Sequence, residues 1–330
     1  MRAAVTGASG LLGGNLAVVL REAGCEVRAT RRRGSKVGHL EGHGIEWVEA
    51  DLSDVSALTE AFRSVDLVFH CAALVGVVRD VTPALVSANV VGTENVILAV
   101  RAAKAPRLVH CSTVNTVGMS VDGTPCDENA TWNFDELGCS GGYGTTKRQA
   151  EDLVRSAVGG GLDAVIANPT YMLGPYDGKP SSGKLIVDVI RGKLPGLTPG
   201  MNNFVDVRDV ARGMLLVATK GRTGERYILG GDNLPYRDAI AMIARCGGIR
   251  APTWNVPRPF ATMLGWAGDI QEWFGAEPLI NSATIRFAYT RAFIFSSLKA
   301  ETELGYTHGS VETAVVDAIR WFREVGMLPS

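Results

Sequence analysis

Over the first half of the chain, short apolar runs alternate with polar and glycine-rich turns. Ala3–Thr6 predicts a strand and Leu11–Glu22 a helix. Glu26–Thr30 and Ile45–Ala50 predict two more strands, Val55–Arg63 a helix and Asp66–His70 a fourth strand. Val86–Ala103 carries apolar residues at helical spacing, Arg107–Ser112 predicts a fifth strand, Tyr143–Val158 a helix and Ala164–Asn168 a sixth strand. Short apolar runs alternating with helices imply βαβ units and a parallel sheet. After Pro169 the rhythm breaks in a Pro- and Gly-rich stretch at 174–200. A helix over Asp206–Ala218 and a strand over Arg226–Leu229 follow. Residues 235–330 read as mostly helical, with loops at 247–259 and 305–310.

Charge and composition narrow the function. The 330 residues hold 33 basic and 34 acidic side chains, a net charge of -1. No overall field exists to hold nucleic acid or an anionic membrane, so neither is expected as a partner. Hydrophobic residues at 46% supply a large core. Cysteines 25, 71, 111, 126, 139 and 246 show no metal-ligand spacing. They read as reduced packing residues of a cytoplasmic protein, with no metal. Residues 3–20 are uncharged but include Thr6, Ser9, Asn15 and several glycines, which is wrong for a signal peptide. No other run approaches ~20 apolar residues, so no membrane span is expected.

Candidate chemistry starts at Thr6-Gly7-Ala8-Ser9-Gly10-Leu11-Leu12-Gly13, between the first strand and the first helix. Glycines 7, 10 and 13 let backbone approach a pyrophosphate facing the helix N-terminus, as in dinucleotide sites. The second strand leads into Arg31, Arg32 and Arg33 with no acid between Glu26 and Glu41. An acid there would accept the ribose 2′-OH of NAD, whereas Arg suits a 2′-phosphate. NADP(H) is therefore the expected cofactor, with NAD(H) the alternative. Asp51, with Leu52, follows the third strand, in reach of adenine. Cys71, Ala72 and Ala73 put small residues after the fourth. Tyr143 and Lys147, four apart, share a helix face. An ammonium beside a phenol favours phenolate and suits it to proton exchange as hydride moves. Ser112 and Thr113 end the fifth strand and offer hydroxyls to the reacting oxygen. Asn89 can anchor backbone or water near the site.

Together TGASGLLG (6–13), ADLSD (50–54), HCAA (70–73), NVVGTENV (89–96), CSTVNTVG (111–118), YGTTK (143–147) and FVDVRDVARG (204–213) resemble the extended short-chain dehydrogenase/reductase superfamily. The resemblance implies an α/β Rossmann fold, a doubly wound parallel sheet over residues 1–170 with 204–231 interleaved. Residues 171–330 are then mainly a smaller, mostly helical substrate domain. It implies a triad of Thr113 (with Ser112 beside it), Tyr143 and Lys147. Arg32 matches the Arg that holds a 2′-phosphate, and Arg31 falls at the NAD-type acid position. Asn89, Pro169 and Thr170 complete the expected cofactor set. A homodimer through helices 86–103 and 143–158 is also implied. Sugar-nucleotide epimerases and dehydratases of this superfamily carry Arg and Asn where this chain has Asn168 and Tyr171, and Arg-Asp where it has Asn202-Asn203. The NPTYMLGP (168–175) and GERYILGG (224–231) segments look more like dihydroflavonol-4-reductase-like proteins.

On the substrate side, residues 122–142 form a long insertion with Trp132 and Phe134, of a length often used as a lid. Val75–Val78, Met172, Leu173 and the apolar stretch from Pro257 to Phe274 are the candidate pocket. That stretch and Trp254 before it are aromatic, with Phe260, Trp266, Trp273 and Phe274, and Arg258, Asp269 and Glu272 exclude it as a membrane span. The expectation is an NADPH-dependent reductase of an apolar or aromatic ketone or aldehyde. A nucleotide-sugar epimerase/dehydratase is the alternative, and a non-enzymatic dinucleotide-binding redox sensor the third reading.

Overall fold

The computed structural model describes residues 1–76, 79–274 and 280–329. Strands β1 (Arg2–Thr6), β2 (Glu26–Arg31), β3 (Glu46–Glu49), β4 (Leu67–His70), β5 (Arg107–Cys111) and β6 (Ala164–Pro169) lie in one sheet. Next come β7 (Tyr171–Leu173), β8 (Met201–Asp206), β9 (Arg226–Leu229) and β10 (Asp232–Pro235). β9 joins the first six strands in the order β3-β2-β1-β4-β5-β6-β9, every pair parallel. This is a Rossmann sheet. The strand order reverses beside β1, so the crevice at the carboxyl ends of β1 and β4 is where such sheets bind dinucleotides.

Both faces of the sheet are covered, which is why β4 and β6 are buried along their whole length. Helices α1 (Leu11–Glu22), α7 (Val207–Lys220) and α11 (Leu298–Leu304) bury Leu16, Leu20, Met214 and Leu304 on one face. Helices α2 (Val55–Ala61), α4 (Gly92–Ala103) and α5 (Gly142–Gly159) bury Leu58, Val96, Val100 and Val154 on the other. The predicted helix over Val86–Ala103 starts earlier, at α3 (Pro83–Leu85). Thr82 caps the Leu85 N–H there, and Pro83 occupies the first turn, where its missing donor costs nothing. A π-helical stretch, Val86–Val91, joins α3 to α4. The combined helix Pro83–Ala103 is long and apolar enough to cross a membrane by length and composition. That corrects the expectation that no run comes near; its Val96, Ile97 and Val100 are packed in the core.

Three strands were hidden in the sequence. β7, β8 and β10 form a separate small sheet, with β8 parallel to β7 and antiparallel to β10. β7 and β10 have three and four residues, too few to show an alternation. α6 (Lys184–Ile190) interrupts the Pro/Gly stretch. With α8 (Tyr236–Gly247) and α12 (Val311–Glu324) it encloses a third core around Phe204, Ile243 and Phe322. Helices α9 (Arg258–Trp273) and α10 (Ser282–Tyr289) pack on each other.

Candidate active site

The glycine turn is shaped for a close approach. Gly7 has φ +74°, and a Cβ on it would lie 2.6 Å from the Ala72 nitrogen. A Cβ on Gly13 would collide with the Gly7 carbonyl oxygen. Gly10 is the N-cap of α1 and no side chain caps that helix, so its first-turn N–H groups face the crevice. Ser9 and Gly10 are exposed, whereas the Leu11 and Leu12 side chains are in the core, leaving their backbone for the anion. A pyrophosphate fits this backbone cradle. At the end of β2, the Arg31 guanidinium carbon stands 6.0 Å from the Trp47 ring centroid. Arg32 is exposed. The Asp51 carboxyl lies below its usual range, chiefly through the Ser53 hydroxyl, with Ser53 N–H and Arg32 adding to the effect. Leu52 packs against Gly92. Pro169 ends β6; the buried Thr170 hydroxyl finds no partner among the described residues.

Behind the cradle runs a buried hydrogen-bond chain that sequence reading missed. The Thr6 hydroxyl lies 2.8 Å from His70 Nδ1, and His70 Nε2 lies 3.0 Å from the Thr93 hydroxyl. Thr93 donates to the Asn89 carbonyl at 2.7 Å, so it accepts from Nε2–H. Nδ1 must then accept from Thr6, whose oxygen in turn accepts from the Ala72 N–H at 3.3 Å. Burial pushes His70 down to about 3, with Lys147 adding to the effect, so the ring stays neutral in this tautomer. Asn89 closes the chain. Its amide accepts from Leu74 N–H at 2.8 Å and donates to the Leu74 carbonyl at 3.0 Å and to Thr146 at 3.2 Å. Those bonds occupy both its donors, which corrects Asn89 from a cofactor ligand to the brace of the 71–76 loop.

Tyr143 and Lys147 stand on the first turns of α5, as expected. The helix can begin there because residue 142 is glycine; a Cβ would strike the Asp80 carbonyl oxygen. Lys147 is buried and donates to the Cys111 carbonyl at 2.8 Å, which fixes Nζ at the end of β5. Burial lowers its affinity for a proton, while Cys111 and Glu151 restore part of it. Burial raises the Tyr143 phenol well above its ordinary value; a hydrogen bond with Thr113 draws it back. The Thr113 hydroxyl accepts from Asn115 N–H at 3.3 Å. Ser112 turns the other way. Its hydroxyl donates to Glu151 at 2.6 Å, which corrects the expectation that it shares the oxygen-binding role.

Glu151 gathers a buried knot one turn beyond Lys147. It accepts from Ser112, from Thr116 at 2.6 Å and from Asn168 at 3.1 Å, and pairs with Arg226 at 3.5 Å and Arg155 at 3.1 Å. Asn168 also donates to the Thr113 carbonyl at 3.0 Å, so the knot fixes the backbone that carries the Thr113 hydroxyl. The only sequence signal for Glu151 is its place four residues after Lys147, on the same helix face.

The sequence model of the NAD dependent epimerase/dehydratase family matches residues 3–230. The chain belongs to this family. It is an NAD(P)-dependent oxidoreductase of the extended short-chain dehydrogenase/reductase type. A putative dihydroflavonol 4-reductase from Synechocystis sp. is 32% identical over 98% of this chain and 94% of its own. Sterol demethylase protein B from Methylococcus capsulatus is 33% identical, covering 99% of this chain and 100% of its own. The crystal structure of gox2253 matches with a TM-score of 0.85 at 33% identity, covering 99% of each chain.

Within this family frame, the cleft beside Tyr143 is aromatic. Trp132 and Phe134 of the long insertion, Phe287 of α10, Asn115, Gly141 and Gly76 line it. Trp132 and Phe134 stack with centroids 5.7 Å apart. Trp132 Nε1 donates to the Asn115 carbonyl at 3.1 Å, and the Arg148 guanidinium carbon sits 4.4 Å from its ring centroid. Phe287 went unnoticed in the sequence because an isolated Phe on a short helix carries no pattern. The other candidate pocket residues do not line this cleft. Leu173 is buried in the small-domain core, Met172 packs against the sheet core and Val75 is exposed. Val77 and Val78 lie outside the described residues. The aromatic side chains of 254–274 point to solvent.

Proposed function

We propose that this oxidoreductase is an NADPH-dependent reductase of ketones or aldehydes with an apolar or aromatic body. The observation that carries the reading is the cleft: a phenol, an oriented hydroxyl and aromatic walls, with the Arg148 guanidinium beside it set against the Trp132 ring. Asn168 is tied into the Glu151 knot. Asn202 donates to the Tyr236 hydroxyl at 3.0 Å, and Asn203 bridges Gly231 and Asn233 at 2.9 Å each. Tyr171 donates to the Ser182 carbonyl at 3.1 Å. The positions where the sugar-nucleotide branch carries its ligands are therefore structural polar groups in this chain. Relatives named as reductases, among them the putative dihydroflavonol 4-reductase from Synechocystis sp., support a reductase.

Gly7, Gly10, Gly13 and the first turn of α1 would hold the pyrophosphate, and Arg31 and Arg32 the 2′-phosphate. The reduced nicotinamide, when bound, supplies hydride. The chain supplies the proton. Tyr143, a phenol that burial makes still less acidic, carries its proton at neutral pH, the state a donor to a carbonyl oxygen needs. Thr113 orients that oxygen against the phenol. Lys147, held by the Cys111 carbonyl, keeps two N–H donors for ribose hydroxyls. The test is a paired titration with NADPH and NADH, followed by a panel of aromatic and aliphatic carbonyls read by nicotinamide absorbance. Tighter NADPH binding and its consumption are expected. Interconversion of sugar-nucleotide isomers without net consumption would overturn the reading in favour of an epimerase.

A further inference from the structure

Helix α9 is amphipathic the wrong way round. Phe260, Met263, Trp266, Ile270, Trp273 and Phe274 recur at three- and four-residue spacing and share one side of the helix. That side faces solvent, with Trp266 63%, Trp273 83% and Phe274 77% exposed. The opposite side carries the small and acidic residues and is the one that packs. Ala261, Gly265 and Gly268 are buried. A Cβ on Gly265 would lie 3.1 Å from Ser282 Cα, and one on Gly268 would run into the Ile280 carbonyl. Asp269 accepts from the Ser282 N–H at 2.9 Å and Glu272 from Asn281 at 3.2 Å, so both acids serve the start of α10. An ordinary surface helix buries its large apolar residues and exposes its charges. Here packing uses the small side chains and leaves the large ones outside.

Arginines lie on the helix pair and on either side of it along the chain. Arg258 opens α9, Arg286 lies on α10, and Arg250 and Arg291 flank the pair in the chain; all four are exposed. Among the described residues none of the four is in an ion pair, while Asp269 and Glu272 of α9 are turned toward the start of α10.

We propose that α9 is an interfacial membrane anchor, lying in the headgroup region of an anionic lipid surface with its aromatic side inserted. Tryptophan-rich apolar faces with flanking arginines match that environment in both polarity and sign. A second copy of the chain fits less well, because a two-fold contact through this face would bring like-charged arginines together. The chain's near-zero net charge excludes only long-range attraction and is silent about one local face. Phe287 of α10 lines the Tyr143 cleft, so the helix pair that would touch lipid also forms a wall of that cleft. The anchor does not depend on which carbonyl is reduced.

The test is flotation of the full chain with phosphatidylcholine vesicles, with and without about one third phosphatidylglycerol. Wild type should float with the mixed vesicles, with its tryptophan emission shifted to the blue. W266E/W273E should float at least about tenfold less. The milder Trp266→Ser should fall between them, and R258E/R286E should lose only the preference for the anionic vesicles. All variants should bind nicotinamide cofactor as wild type does, which shows that they are folded. Wild type that stays in solution with both vesicles overturns the proposal, as does equal flotation of W266E/W273E. A dimer in light scattering that W266E/W273E splits, without vesicle binding, also overturns it and gives the face to a second copy.

Discussion

The two sides of Tyr143 are built from different material. Toward the cofactor, the chain presents backbone and small side chains: Gly7, Gly13, Ala72 and the open end of α1. A fixed network of Thr6, His70, Thr93 and Asn89 holds that backbone from behind. Toward the substrate, it presents large rings contributed by the 122–142 insertion and by α10, segments far apart in the chain. A pyrophosphate needs N–H groups at a set distance, which only backbone without Cβ can supply. A variable organic substrate needs shape and apolar area, which side chains supply and can exchange.

That contrast can be broken by substitution. Tyr143→Phe belongs to both sides and should act most strongly. Turnover should fall by roughly 100- to 10,000-fold, the usual contribution of a positioned acid. Cofactor affinity, read by nicotinamide fluorescence, should stay within about twofold. Gly13→Val should fail on the cofactor side first, because its side chain meets the Gly7 carbonyl. Overpacking of this kind costs about 1–3 kcal/mol, so calorimetry should show a lower Tm and titration little cofactor binding. Arg32→Ala should weaken NADPH by roughly 10-fold, the loss of one charge-assisted hydrogen bond, and leave NADH unchanged. Phe287→Ala should do the reverse. KM for an aromatic carbonyl should rise about tenfold, with cofactor Kd unmoved, since a buried ring contributes about 1.5–3 kcal/mol. If Phe287→Ala alters cofactor affinity as much as KM, the division into two sides is wrong.

The same contrast decides what could be read from the sequence. The glycine turn and the Tyr143–Lys147 spacing were visible because local backbone geometry fixes them within a few residues. The strands of the large sheet were visible because continuous burial writes itself as apolar runs. The family resemblance put Thr113 in the triad with Ser112 beside it, but the residues alone did not show that Ser112 turns away, because that depends on Glu151, thirty-nine residues on. Asn89 attracted notice as a poor helix former, but its role as a brace depends on Leu74 and Thr146, fifteen and fifty-seven residues away. The aromatic run in 254–274 suggested a pocket because rings usually bury. Nothing local shows that α9 packs through its glycines instead. Leu173 was read as pocket because β7, too short to show a period, was invisible and so was the core beneath it.

His110 gives the finest test of how the cofactor side is held. It is fully buried beside His70 on the neighbouring strand, with ring centroids 5.4 Å apart. His70 has a partner on each nitrogen, whereas neither ring nitrogen of His110 has one among the described residues. Burial, then Lys147 and His70, push His110 well below its ordinary range. Both rings are thus neutral in the folded chain, while the unfolded chain takes up their protons below pH about 6.5. The unfolded state then binds more protons, so stability falls as pH drops from there, by about 1.4 kcal/mol per pH unit for each histidine. For His70 the fall should continue to pH about 3. His110→Leu should remove one of the two slopes. At pH 7.5 it should be neutral or stabilising by about 1 kcal/mol, because it replaces an unpartnered polar ring with an apolar side chain. His70→Leu should also flatten the acid limb, yet lose about 1–3 kcal/mol at pH 7.5 by leaving Thr6 and Thr93 without their shared partner. Denaturant melts from pH 4 to pH 8 separate the two. Equal losses at pH 7.5 would mean that His110 is as firmly hydrogen-bonded as His70, and that the support behind the cradle extends to β5.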